Sequence, residues 1–160
     1  NTKDFRKNIF LVAEPKYIAA LIANENLEKA EEYITNEWEG KKKGNFWLQA
    51  VTNLELEKKY QANDGAGYSD ILEKAGKVFQ KNLLFKARKF MLNGETEEAV
   101  RVLESHAEQQ PYYEVTRRFL LGVCYCRIGK EKQERECLEY VLAHGNTLNC
   151  RKEAEKYIRI

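Results

Sequence analysis

The sequence predicts an all-α chain of antiparallel helical hairpins, on three observations. Two tight turns, Asn93-Gly94-Glu95 and Ile128-Gly129-Lys130, place their glycines 35 residues apart. A supersecondary unit returning at about 34 residues marks a helix-turn-helix solenoid. Only 2 prolines and 9 glycines occur in 160 residues rich in Leu, Ala, Glu and Lys, a composition that favours helices. Apolar residues recur at three- and four-residue spacing along most of the chain, and no alternating strand pattern is present. Together these imply a right-handed α-α superhelix forming one domain over residues 1–160, with repeats at about 14–38, 45–80, 82–109 and 112–143 and a capping helix over 148–160.

Taken in order, Phe5, Ile9, Phe10 and Val12 fall at partly helical spacing and are expected to cap the stack, and Pro15 opens a new element. Tyr17, Ile18, Leu21 and Ile22 form one apolar stripe. Asn24-Glu25-Asn26 supplies a turn, and Leu27, Ala30, Tyr33 and Ile34 return as the second helix of repeat one. Gly40, the lysines 41–43 and Gly44 read as a solvated linker. The second hairpin opens at Asn45 with Trp47, Leu48, Val51, Leu54 and Tyr60 on a helix. A long loop from Ala62 to Gly67 follows, and the return helix is expected to start at Ser69 as N-cap and to bury Ile71, Leu72, Ala75 and Phe79. Pro111 suits the first turn of the helix that opens repeat four. Gly145-Asn146 then breaks the chain before a closing helix that offers Ala154, Tyr157 and Ile158 for packing.

From residue 83 onward the apolar and small residues fall into a tighter pattern. Leu83, Ala87, Phe90, Ala99, Leu103 and Pro111 form one unit; Leu121, Gly122, Tyr125 and Leu138 form the next. The pattern resembles that of the tetratricopeptide repeat (TPR) family, aromatic-x2-Leu-Gly-x2-Tyr, then Ala-x3-Phe, then Pro. Lys86 breaks it in the first unit. Arg118 at the aromatic position, Glu134 at the alanine and a missing closing proline depart from it in the second. The small residues are expected where helix axes cross closely, with larger apolar side chains filling the flanks.

Charge and chemistry exclude several classes. With 27 basic and 25 acidic residues the formal net charge is +2, which gives no reason to expect nucleic acid or an anionic membrane as partner. No apolar run approaches the roughly 18 residues of a membrane span. Cys124 and Cys126, two apart on a predicted helix, point in different directions and make no zinc knuckle. Together with Cys137 and Cys150 they read as small buried hydrophobes kept reduced, as in the cytoplasm; a Cys124–Cys137 disulfide is the alternative. His106, expected late in a helix between acidic neighbours, and His144 complete no catalytic constellation. Gly65-x-Gly67 follows a helix and lacks the lysine of a phosphate loop. No enzyme activity, metal or cofactor is expected.

The TPR resemblance implies a protein–protein interaction scaffold that binds a peptide or protein segment along the first helices of its hairpins. It places Gln49, Thr52, Arg88, Thr116 and Arg127 on that surface. At the positions where peptide-clamping members hold a C-terminal carboxylate stand Leu84, Phe85, Arg88, Thr116 and Leu120, so mixed apolar and arginine contacts are expected instead. The alternative is a soluble portion of a larger membrane-anchored or multidomain protein, which predicts an apolar span or a further domain upstream of Asn1.

Overall fold

The computed structural model describes residues 14–146 and 148–158, and the segment Phe5–Val12 expected to cap the stack lies outside them. The described residues fold entirely as helices and turns. They are helical over 14–23 (α1), Leu27–Glu32 (α2), Asn45–Gln61 (α3), Gly65–Lys74 (α4) and Lys77–Lys81 (α5). Leu83–Leu92 (α6), Thr96–Glu104 (α7), Pro111–Arg127 (α8), Glu131–His144 (α9) and Asn149–Ile158 (α10) follow. One turn of π-helix, Tyr33–Glu37, continues α2. The chain divides between Ala62 and Asn63 into two compact units, a boundary that falls inside the stretch 45–80.

The same hairpin turn occurs four times. Its pivot residue sits in the left-handed region at Glu25 (φ 56°), Asn63 (φ 54°), Gly94 (φ 77°) and Gly129 (φ 76°). Before each pivot, the amide of Asn24, Ala62, Asn93 or Ile128 donates to the carbonyl four residues back, at 3.0–3.2 Å. After each, the next helix opens with an equivalent bond: Ala30 to Asn26, Tyr68 to Asp64, Ala99 to Glu95 and Glu134 to Lys130, at 2.9–3.1 Å. Successive pivots lie 38, 31 and 35 residues apart. The same turn thus recurs along the backbone at 31–38 residues, even where the sequence supplies no glycine to adopt the left-handed conformation.

The second of these turns corrects the expected start at Ser69. Helix α4 begins at Gly65, because the Asp64 carboxylate accepts from the Gly67 amide at 2.8 Å and caps the helix five residues before Ser69. The return helix is also not continuous. At Gly76 the backbone turns through φ 87°, and α5 restarts as a short helix that buries Phe79 against Phe85, ring centroids 5.3 Å apart. Asn82 then caps α6, its side-chain oxygen accepting from the Leu84 and Phe85 amides.

In the first unit, Ile18, Ala30, Ile34, Trp38, Ala50 and Leu54 form a buried cluster from α1, α2, the π turn and α3. Edge-to-face contacts run from Tyr17 to Tyr33 (4.8 Å), Trp38 (6.4 Å) and Trp47 (5.5 Å). Glu14 is 1% exposed. Its carboxylate accepts from the Glu39 amide at 2.6 Å, the Gly40 amide at 3.1 Å and the Tyr33 hydroxyl at 3.3 Å, which satisfies the buried charge and ties down the end of the π turn. Burial, and then the Glu14 charge, push the Tyr33 hydroxyl up to about 12.

In the second unit α8 is the central helix. Eleven of its 17 residues are buried, on every side, because α6, α7, α9 and α10 all pack against it. The small residues serve the close approaches expected of them: Ala87 and Ala99 are fully buried, and a Cβ on Gly122 would meet Leu138 of α9 at 2.8 Å. Pro111 occupies the first turn of α8 as expected. Three local expectations are corrected. His106 lies beyond the end of α7, which closes at Glu104. Tyr157 of α10 is 38% exposed while Ala154 beside it is buried. The four cysteines are free thiols, but Cys126 is exposed, since a helix that buries Cys124 turns Cys126 outward.

Candidate interaction site

Gln49 and Thr52 lie half-buried on α3 of the first unit. The other three predicted residues belong to the first helices of the second unit. Arg88 is half-buried on α6, close enough to act on the Cys150 thiol of α10, which burial pushes up to about 11 and the guanidinium pulls the other way. Arg127, at the end of α8, donates to the Met91 carbonyl at 3.2 Å and so caps the C-terminus of α6. It also opposes the burial that raises the Tyr157 hydroxyl of α10. Thr116 is 6% exposed and donates to the Tyr112 carbonyl at 3.1 Å. Arg127 thus joins α8 to α6, whereas Thr116 serves the interior of α8.

A buried ionic clasp, which the sequence pattern did not reveal, fixes the start of α8. Glu114 accepts from Arg117 Nε at 2.8 Å and Nη2 at 2.6 Å, from Arg118 at 3.0 Å and from the Glu108 amide at 2.8 Å. Arg117 in turn donates to the Leu103 carbonyl at 2.8 Å. The clasp thus joins the last turn of α7, the connecting loop and the first turns of α8. The Arg117 hydrogen bonds dominate and hold the Glu114 carboxyl down to about 2. Arg118, anomalous at an aromatic position, lies over the Tyr140 ring of α9 at 4.8 Å.

Comparison with known proteins returned no matching family model, no similar curated protein and no similar solved structure. The chemistry is therefore judged on the residues alone. Among the described residues no cluster of three His, Cys, Asp or Glu side chains is arranged to hold a metal ion, and no helix is long and apolar enough to cross a membrane. Burial pushes the Cys124 thiol up to about 11 and raises Cys137, so neither is an activated nucleophile at neutral pH.

A concavity lies against α6 on the side away from Arg88. Leu72 and Glu73 of α4, Gln80 of α5, Lys86, Lys89 and Phe90 of α6 and Val102 of α7 line a cavity of about 410 Å³. The Gln80 side chain spans the helix break by donating to the Glu73 carbonyl at 2.6 Å. With about 100° of rotation per residue, Lys86, Lys89 and Phe90 share one face of α6, and Arg88 points roughly 200° away from Lys86. Lys86, where the chain departs from the repeat pattern, thus lines a cavity that nothing in its residue type announces.

Proposed function

We propose that the chain is a TPR-like repeat protein, a right-handed stack of helical hairpins. It acts as a non-catalytic scaffold that binds a peptide or protein segment along the surface of its first helices. The observation that carries this reading is the fourfold recurrence of one hairpin turn at Glu25, Asn63, Gly94 and Gly129. A repeat that buries its core between neighbouring hairpins leaves one helix of each hairpin presenting a continuous face, and such faces bind extended or helical segments. Arg88 and Arg127 give that face guanidinium groups suited to carboxylates.

The test is charge reversal. A partner captured by the full chain is titrated against Arg88→Glu, against the Arg88→Glu/Arg127→Glu pair and against a linker control, Lys41→Glu/Lys42→Glu. Loss of about a hundredfold in affinity is expected for the pair and no change for the control. Because Arg127 caps α6 and Arg88 is itself half-buried, melting temperatures are measured beside the affinities for every variant, and only a loss of affinity without a matching loss of stability counts as binding. Normal binding by the arginine variants with loss in the linker variant would move the site to the lysines at 41–43 and sink the assignment.

A further inference from the structure

The concavity between α4, α5, α6 and α7 combines an apolar floor with an uneven distribution of charge. Between Leu72 and Phe90 stand six basic residues and one acidic residue, Glu73, although the whole chain carries only +2. Lys86 and Lys89 line the pocket together with Glu73, which leaves its charged lining at a net +1, and neither lysine forms an ion pair within the chain among the described residues. Two local features open the space. The helix breaks at Gly76, between Leu72 and Gln80, both of which line the space. Lys86 also stands 35 residues before Leu121, so the position that the following hairpin fills with a buried leucine is occupied here by a flexible cation. Val78 of α5, 74% exposed, adds apolar surface close by in the chain.

We propose that this pocket is a docking site for an acidic peptide segment. One large apolar side chain of that segment seats between Leu72, Phe90 and Val102, and carboxylates flanking it meet Lys86 and Lys89. The volume suits a single anchoring side chain and its immediate flanks, the arrangement in which a central apolar anchor carries most of the affinity. Two unpaired ammonium groups at the edge of an apolar floor select a ligand that is both apolar and anionic, and the local excess of lysines speeds its encounter. The site is separate from the Arg88–Arg127 surface, because Arg88 lies on the other face of α6. Its failure would leave the proposed first-helix surface untouched.

The full chain is titrated, by fluorescence anisotropy, against a labelled dodecapeptide with a central tryptophan flanked by glutamates. Companion peptides replace the tryptophan by serine or the glutamates by lysines. Binding is expected for the first peptide only, weakening as salt is added. Lys86→Leu fills the pocket with the residue that the next hairpin uses, and is expected to abolish binding without lowering the melting temperature. Lys89→Glu is expected to weaken binding roughly tenfold or more, and Arg88→Glu to leave it within about twofold. No measurable binding, equal binding of the serine peptide, or indifference to Lys86→Leu and Lys89→Glu would overturn the proposal. So would a single-stranded oligonucleotide that bound through the same lysines where the acidic peptide did not.

Discussion

Glu114 illustrates how much of this molecule depends on single buried side chains. Both it and Arg117 are under a tenth exposed, and between them they are satisfied by partners on three stretches of chain: α7, the loop after it, and α8 itself. A buried pair of this kind contributes little compared with a well-packed apolar substitute, but removing one partner strands the other charge, at a cost of about 3–5 kcal/mol. Glu114→Gln is therefore expected to lower stability by that order, measured by urea unfolding at neutral pH. The pH dependence has a definite sign. The Glu114 carboxyl is depressed to about 2 in the folded chain, from an ordinary 4.5, so its contribution is fully present above pH 4.5 and is lost as pH falls towards 2. That window contributes on the order of 3 kcal/mol. The wild-type chain should lose stability steeply on acidification below pH 5, and the variant less steeply. Parallel acid limbs for the two would show that the carboxyl is not held ionised by Arg117.

At the scale of elements, the hairpin turn rather than the helix surface carries the repeat. Two of its four copies place a residue other than glycine in the left-handed conformation: Asn63, whose side chain tolerates it, and Glu25, which does so at a backbone cost of about 1–2 kcal/mol. Glu25→Gly relieves that cost while adding freedom to the unfolded chain worth about 0.4–1 kcal/mol. A net gain of roughly 0.5–1 kcal/mol is expected, read as a higher denaturation midpoint; a loss would mean that the Glu25 side chain contributes something the backbone geometry does not reveal. This turn also explains what was legible in the sequence. Asn24-Glu25-Asn26, Gly94 and Gly129 announced turns by residue type, and the stripes between them gave the helices and the small crossing residues Ala87, Ala99 and Gly122. The second turn was placed correctly but made too long, because an N-cap at Asp64 competes with the equally plausible Ser69, and only the folded backbone shows which side chain meets an orphan amide. The break at Gly76 was passed over, since apolar periodicity on both sides of it disguised a change of direction. The clasp and the pocket were not legible. Glu114, Arg117, Lys86 and Lys89 look like ordinary surface charges until the third dimension brings Leu103, Glu108, Leu72 and Val102 beside them.

At the scale of the whole chain, each compact unit has a core of its own. The cluster around Ile18, Trp38 and Leu54 draws its residues from 14–62, and the Glu14 clasp closes within the same stretch. Beyond Ala62, α8 is enclosed by α6, α7, α9 and α10, and the Asp64 cap supplies the first helix of the second unit with its own start signal. Residues 63–160 hold two whole hairpins, α6–α7 and α8–α9, preceded by α4 and α5, which both pack on α6, and followed by the closing helix α10, which packs on α8 and α9. A fragment of residues 63–160 is accordingly expected to fold alone, with a helical circular dichroism spectrum and a cooperative thermal transition. For a domain of this size a change of 1 kcal/mol shifts the melting temperature by about 4–8 °C, so the fragment should melt within roughly 8 °C of the corresponding transition in the full chain. It should also bind the glutamate-flanked tryptophan peptide as tightly as the full chain does, since every residue lining that pocket lies after Ala62. A broad, non-cooperative melt would mean that the buried core of α8 depends on residues before Asn63, and that the division at Ala62 marks a difference in contact density rather than two folding units.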